Sequence, residues 1–331
     1  MKSLLRLLLL AAVLPGAVAA EQSVSAAAQV RQMTRGVNIV GYDPLWKDPA
    51  QTRFQTRHME VIRKGGFDTV RIVLQAFSHM DANNKLPQQW FATLDTLVQA
   101  ALAQGLTVIL DEHDFSFCGR EPEACRIKLL AFWQQVSTAY AGAPDKVVFE
   151  ILNEPHEKLN AGWNDLAADA LTVIRKTNPD RNVIIGPNFW NSTTALKNLV
   201  LPKNDRHIIV TVHYYTPLRF THQGASWAPD NKELGVTWGT AQDRAQIDKD
   251  FDATQAWSVA NDRPIFLGEF GAYDKGPMES RIAYTSAVAR AAEKRGWAWA
   301  YWQFDSDFIV YDIDKDRWVE PIHRALIPEK Q

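Results

Sequence analysis

Cysteine is close to absent. Only Cys118 and Cys125 occur in 331 residues, with six residues between them. A zinc centre takes four protein ligands, or three and a water, so this pair alone builds none. No His-Glu-x-x-His motif is present either, so the sequence requires no metal. A charge excess is also missing. Lys and Arg number 36 against 38 Asp and Glu, a formal net charge of −2. Phosphate binding needs a basic face, and this balance argues against a nucleic-acid partner. No glycine-rich phosphate loop appears, and no nucleotide or other cofactor is expected. Past the N-terminus, no apolar run reaches the roughly 20 residues that cross a bilayer. No linker, repeat or low-complexity stretch divides the chain, which reads as one domain.

What is present begins with an export signal. Lys2 and Arg6 accompany the apolar run from Leu7 to Leu14, and Ala17, Ala19 and Ala20 follow. This order of charge, short apolar core and small residues marks a signal peptide. Residues 1–20 are assigned to it, with cleavage after Ala19 or Ala20, and residues 21–331 to the mature domain. The product is expected to be secreted or periplasmic, monomeric and off the membrane. In an oxidising compartment Cys118 and Cys125 can close a disulfide; two free thiols in a surface loop are the alternative.

Eight short apolar runs alternate with segments of helical period. The runs are 36–41, 69–74, 106–110, 147–152, 182–186, 207–212, 264–268 and 297–302. They lack polar alternation, as strands covered on both faces do. Between them, Leu94, Leu97, Val98, Ala101 and Leu102 share one helical face, as do Leu129, Phe132, Trp133, Val136 and Tyr140. Further helices are expected over 164–177, 242–260 and 279–295. Eight strand–helix units in a chain of this length predict a single (β/α)₈ TIM barrel of the α/β class. An open doubly wound sheet would carry a phosphate loop after its first strand; here that strand runs into Gly41-Tyr42-Asp43-Pro44. The stretch from Tyr214 to Ala241 is a long, aromatic-rich connection, which points to function.

A barrel of this kind carries its reactive side chains at the C-terminal strand ends. Those positions hold Arg71, Asp111 to Asp114, Asn153 and Glu154, His213 and Tyr215, Glu269 and Trp302. Ionisable groups deep at strand ends are costly unless paired or used. Glu154 and Glu269, on strands four and seven, would face each other across the mouth. Hydrolysis of a glycosidic bond needs such a carboxyl pair, one to protonate the leaving oxygen and one to attack the anomeric carbon. Arg71 and Tyr215 would hold Glu269 ionised and lower its pKa. His113, His213 and Asn153 would bond sugar hydroxyls, and Trp302 would stack on a sugar ring. The small neighbours in Gly268-Glu269-Phe270-Gly271 would let substrate approach. Charge on Glu269 would raise the pKa of Glu154. Of the 12 Trp residues, about half are expected in the core; Trp46, Trp190 and Trp238 could extend a groove. Asp312, Asp314 and Asp316 alternate like a calcium loop, but Arg317 stands where that loop needs glycine, so a solvated hairpin is expected.

The ordered segments Thr-Val-Arg-Ile-Val around Arg71, Leu-Asp-Glu-His around His113, Leu-Asn-Glu-Pro around Glu154, Val-His-Tyr-Tyr around His213, Leu-Gly-Glu-Phe-Gly around Glu269 and Ala-Tyr-Trp-Gln-Phe around Trp302 resemble glycoside hydrolase family 5. The likeness runs from residue 36 to about 327. It implies a cellulase-like, retaining endo-β-1,4-glucanase with Glu154 as acid/base and Glu269 as nucleophile. It makes Arg71, His113, Asn153, His213, Tyr215 and Trp302 the remaining active-site residues and a β-linked glucan the substrate. A finer likeness, over Phe220–Trp227 and Gly268–Tyr273, is to bacterial endoglucanases that also tolerate mannan or mixed-linkage glucan. It implies sugar contacts for His222 and Trp227, and Asn38 could make one too. The chain departs from those relatives at Asp114, where they carry a second His, at Tyr42–Trp46 and at Asp305–Asp307. Substrate choice therefore stays open among glucan, mannan, xyloglucan and mixed-linkage glucan. A non-catalytic carbohydrate-binding barrel and a metal-dependent barrel hydrolase are the rivals from other classes.

Overall fold

The computed structural model describes residues 23–228 and 230–329. The expected signal peptide and its cleavage site lie outside these residues. Eight parallel strands close on themselves in sequence order: β1 (Arg35–Ile39), β2 (Thr69–Leu74), β3 (Thr107–Glu112), β4 (Val147–Glu150), β5 (Val183–Ile185), β6 (Ile208–Tyr214), β7 (Ile265–Phe270) and β8 (Ala298–Tyr301). The barrel closes where Arg35, Gly36 and Val37 pair with Trp299, Ala300 and Tyr301. The expected (β/α)₈ architecture is thus observed, and each apolar run became a strand.

Around the barrel lie α1 (Ala26–Gln32), α2 (Arg57–Lys64), α3 (Gln88–Ala103), α4 (Phe115–Arg120), α5 (Pro122–Ala139), α6 (Trp163–Arg175), α7 (Asn188–Asn191), α8 (Leu218–Thr221), α9 (Ala241–Asn261), α10 (Met278–Lys294) and α11 (Glu320–Leu326). The periodic faces read from sequence are the buried ones: Leu94, Leu97, Val98 and Ala101 on α3, and Leu129, Phe132, Trp133 and Val136 on α5. A capping box, Thr240 with Asp243, starts α9. Cys118 of α4 and Cys125 of α5 form a disulfide, and both are buried. The aspartate-rich segment is a small hairpin of β9 (Tyr311–Asp312) and β10 (Arg317–Trp318), with Arg53 and Arg57 paired to Asp314 and Asp316.

The strands divide their side chains between two cores. Val70, Ile72 and Leu74, like Val108 and Leu110, pack outward with the helices. Ile109, Val148, Ile184, Ile209, Phe266, Ala298 and Ala300 form a separate cluster with Ala26 and Val30 of α1 and Met33 at its C-terminal cap. Helix α1 therefore plugs the N-terminal end of the barrel with apolar groups. Polar chemistry is left to the other end. Among the described residues, no helix is long and apolar enough to cross a membrane.

Candidate active site

Strand phase puts the polar side chains inside. Arg71 alternates with the outward Val70 and Ile72, and Glu150 follows two residues after the inward Val148. Strand β7 would not aim Glu269 inward by alternation alone. Its register against β6 slips at Val212/His213, so that Val212 pairs with Leu267 but His213 with Glu269. Gly268 is the extra residue of this bulge, which redirects the next side chain. A Cβ on Gly268 would lie 2.5 Å from Thr211 Oγ1 and 3.0 Å from His213 Nε2. That glycine is small because of packing, not for substrate approach as the sequence suggested. In the loop that follows β4, Glu154 has a left-handed φ of 39°, a strained state for a residue with a Cβ.

Glu154 and Glu269 meet at the mouth. One carboxylate oxygen of each and a His213 ring nitrogen lie within 4.8 Å of one another. Glu269 accepts from Arg71 Nη1 at 2.8 Å and from the Tyr215 hydroxyl at 3.0 Å. Its pKa is nevertheless above the ordinary glutamate value, because burial outweighs the pull of His213 and Arg71. The expectation of a lowered pKa is corrected: desolvation in a closed barrel exceeds what one shared guanidinium returns. Arg71 is indeed shared. Its Nε and Nη2 fork onto Glu150 at 2.7 and 2.9 Å, Nη2 also reaches Asn153 Oδ1 at 2.9 Å and Asp111 at 3.0 Å, and Nη1 bonds Asn38 Oδ1 at 2.8 Å. Among the described residues, no guanidinium contacts Glu154. Burial comes first among the causes that push its pKa up to about 7, with Glu150 adding to it and His113, Arg71 and His156 opposing. Desolvation, rather than charge on Glu269, is therefore the main reason this acid holds its proton near neutrality.

The two histidines of the mouth face protein on both nitrogens. His113 places Nδ1 2.5 Å from Asp111 Oδ2 and Nε2 3.3 Å from Asn153 Nδ2. His213 places Nδ1 2.7 Å from Glu154 Oε1 and Nε2 3.3 Å from Asn191 Nδ2. Burial lowers both pKa values to about 4, so both rings are neutral at pH 7. The expected bonds from these rings to sugar hydroxyls are thus replaced by bonds that hold Asp111 and Glu154. Asn38 needs the same correction. It is fully buried, donates to the carbonyls of Gly268 and Tyr301 at 3.0 and 3.2 Å, accepts from Arg71, and meets no groove. Asn153 keeps one amide hydrogen beyond its contact with His113. Asp114 accepts from the backbone of Ala76 and Phe77, both at 2.8 Å, and so anchors the loop after β2.

A row of rings runs outward from Tyr215, the hydroxyl partner of Glu269. His222 packs edge-on against Tyr215 at 5.0 Å, and Trp227 edge-on against His222 at 5.0 Å. Trp227 is 47% exposed, so part of its ring is open to solvent. Trp302 is almost wholly buried, with His113 parallel to it at 5.6 Å, so only its far side can serve a sugar. Trp46 and Trp238 are core residues, not groove walls. Trp190 is exposed and stacks on His156 at 4.9 Å, on the acid's side of the pair. Sequence reasoning missed Glu150, whose signal was one acid in an apolar strand. It missed Tyr42, whose ring meets Trp302 edge-on at 6.0 Å. It also missed Asn191, for which no local signal exists. Glu154, His213 and Glu269 have the donor chemistry of a metal site; a metal there would need a lone pair on His213 Nδ1 in place of its bond to Glu154.

The family described as Cellulase (glycosyl hydrolase family 5) matches residues 27–307. Endoglucanase H of Acetivibrio thermocellus is 27% identical over 311 residues, which cover 90% of this chain and 33% of that protein. Endoglucanase A of Clostridium longisporum is 28% identical over 297 residues, 83% of this chain and 55% of its own length. This chain thus spans between a third and about half of these curated relatives. The crystal structure of endoglucanase Cel5A from Thermotoga maritima superposes with a TM-score of 0.87 at 37% identity, over 92% of this chain and all of that one. Structures of that enzyme have been described with cellobiose and with mannotriose.

Proposed function

Because this chain belongs to glycosyl hydrolase family 5, we propose that it is an exported, retaining endo-β-1,4-glucanase that cleaves internal linkages by double displacement. The observation that carries this reading is the approach of the two carboxylates within 4.8 Å at the barrel mouth, where the Glu154 side chain stays 15% exposed. Retaining glycosidases hold their carboxyl groups about 5–5.5 Å apart, whereas inverting ones leave room for a water at about 6.5–9.5 Å. Glu269, presented by Arg71 and Tyr215, attacks the anomeric carbon while Glu154 gives its proton to the leaving oxygen. The C–O bond breaks and a glycosyl ester forms on Glu269. Glu154, now a carboxylate, takes a proton from water, which attacks the same carbon and frees Glu269. A pKa of about 7 suits both halves of this cycle.

The mannotriose complex of the Thermotoga enzyme favours a second reading in which mannan or glucomannan is also cut. Rates and product lengths on carboxymethylcellulose, barley glucan, glucomannan, xyloglucan and xylan separate these substrates. NMR of the first-formed anomer tests the stereochemistry: a β-anomer is expected, and an α-anomer rules out double displacement. Binding without turnover on every β-glycan would leave a carbohydrate-binding barrel, and loss of activity with chelator would point to a metal hydrolase. The N-terminal signal supports export; mass of the mature protein recovered outside the cytoplasm tests cleavage after residue 19 or 20.

A further inference from the structure

Asn191 meets His213 at Nε2, while the ring's other nitrogen faces Glu154, and it is fully buried. The chain reaches this position through an unusual turn. Phe189, Trp190 and Asn191 have consecutive left-handed φ values of 54°, 57° and 52°. Two bulky aromatics in that region cost on the order of 1–2 kcal/mol each. The turn is held from both ends: Trp190 N donates to Pro155 O at 3.1 Å, one residue past Glu154, and Ser192 bridges to His213. Space for the amide is kept by Gly186, where a Cβ would fall 2.1 Å from Asn191 Oδ1. A strained turn, a glycine and two anchors thus deliver one amide to one ring nitrogen.

What that amide decides is a tautomer. A neutral imidazole carries one hydrogen, and the bond made by one nitrogen sets the state of the other. Asn191 Nδ2 stands 3.3 Å from His213 Nε2. If the amide donates, Nε2 accepts and the ring hydrogen must sit on Nδ1, pointing at Glu154 Oε1 2.7 Å away. If Nε2 carried the hydrogen instead, Nδ1 would accept from protonated Glu154 and draw the acid's proton away from the groove. The molecule repeats this arrangement where its orientation is determined. Asn153 Oδ1 accepts from Arg71, which turns its Nδ2 toward His113 Nε2, also at 3.3 Å, while His113 Nδ1 faces Asp111.

We propose that Asn191 is a positioning residue that fixes the Nδ1–H tautomer of His213 and so directs the acidic proton of Glu154 to Oε2, toward the scissile oxygen. The proposal rests on the reading of Glu154 as the general acid. Around His213 the charged and titratable groups are Glu154 and Glu150 from β4 and its end, Glu269 from β7, Arg71 from β2 and His113 after β3; Asn191 and Thr211 face it as neutral groups.

The test is ¹⁵N-histidine NMR on the full chain, with the His213 ring assigned through its response to Glu154→Gln. The wild-type ring should be neutral with its hydrogen on Nδ1 at pH 6 and pH 8. Asn191→Asp tolerates the left-handed backbone but offers Nε2 an acceptor. It should put a hydrogen on Nε2 and make the ring cationic near neutrality. The cation beside Glu154 should then move the high-pH limb of kcat/KM down by about one unit or more. Asn191→Ala, which removes the donor, should give mixed tautomers and a lower kcat with little change in KM. A wild-type ring protonated on Nε2 overturns the proposal. So does an unchanged ring signature and pH limb in Asn191→Asp, even with a lowered Tm, because packing alone would explain that. The NMR arm needs no turnover. Absence of β-glycan hydrolysis would defeat the proposed function and leave the tautomer result standing; hydrolysis with a ring indifferent to residue 191 would defeat only this inference.

Discussion

Two Asn–His–carboxylate chains stand side by side in the barrel mouth and do different work. In one, Asn153, His113 and Asp111 are joined at 3.3 and 2.5 Å. In the other, Asn191, His213 and Glu154 are joined at 3.3 and 2.7 Å. The bonding is the same and the surroundings are not. Asp111 is completely buried and faces Arg71 at 3.0 Å. The Glu154 side chain is 15% exposed and, among the described residues, meets no guanidinium or ammonium group. Both carboxyl groups are pushed up to about 7, with burial as the first cause. Only one of them can pass its proton to a molecule in the groove. An acid therefore becomes available through its opening to solvent, and a shifted pKa alone does not make one.

The strongest way to break this comparison is to neutralise the open arm. Glu269→Gln should lose turnover by orders of magnitude, and Glu154→Gln by roughly 10²–10⁴-fold on a natural glucan. On an aryl glycoside whose leaving group needs no proton, Glu154→Gln should keep much more of its rate. An equal loss on both substrates would deny Glu154 the acid's role. Neutralising the closed arm comes next. Asp111→Asn removes a carboxylate from Arg71 and His113 and should cost about 1–3 kcal/mol in urea unfolding. If it leaves stability intact while abolishing turnover, the two arms are not divided as described.

A pH series sharpens the contrast. The Glu154 pKa is raised in the fold from 4.5 to about 7. The native state binds this proton more tightly than the unfolded chain, so the contribution is complete below about pH 4.5 and lost as pH rises through 7. Glu154→Gln should gain Tm over wild type at pH 8 and little at pH 4.5, and kcat/KM of the wild type should fall above pH 7. A Tm difference independent of pH would remove the buried-acid explanation. The smallest effect is expected at the rim. Trp227→Ala should raise KM roughly 2–10-fold with kcat nearly unchanged, as loss of a stacking face would; a large fall in kcat would instead make the ring row from Trp227 through His222 to Tyr215 part of the nucleophile's support.

Much of this site is legible in the sequence. Arg71 stands out as a charge inside an apolar run, and Glu154 and Glu269 as acids just past the ends of two others; such groups have few places to go except a barrel interior or its mouth. The pairings were less legible. Glu269 faces inward through a one-residue slip at Gly268, and a sequence records the glycine without its register. His113 and His213 looked like sugar donors, since nothing local reveals that each ring is already spent on a carboxylate and an amide. Asn38 seemed open to the groove and is roofed by its own barrel. Asn191 was invisible, because a left-handed turn of Phe and Trp contradicts local preference and is stable only through bonds to Pro155 and His213.

Periodicity and composition alone determined the closed barrel, its helical shell and the end at which acids gather, because side-chain alternation and the burial of apolar faces are short-range rules that each segment obeys by itself. Tertiary structure decided which acid is sealed against Arg71 and which meets the groove, and which nitrogen faces which oxygen. Those are matters of ångström distances between residues far apart in the chain, and desolvation, which sets their proton affinities, exists only once the barrel has closed around them.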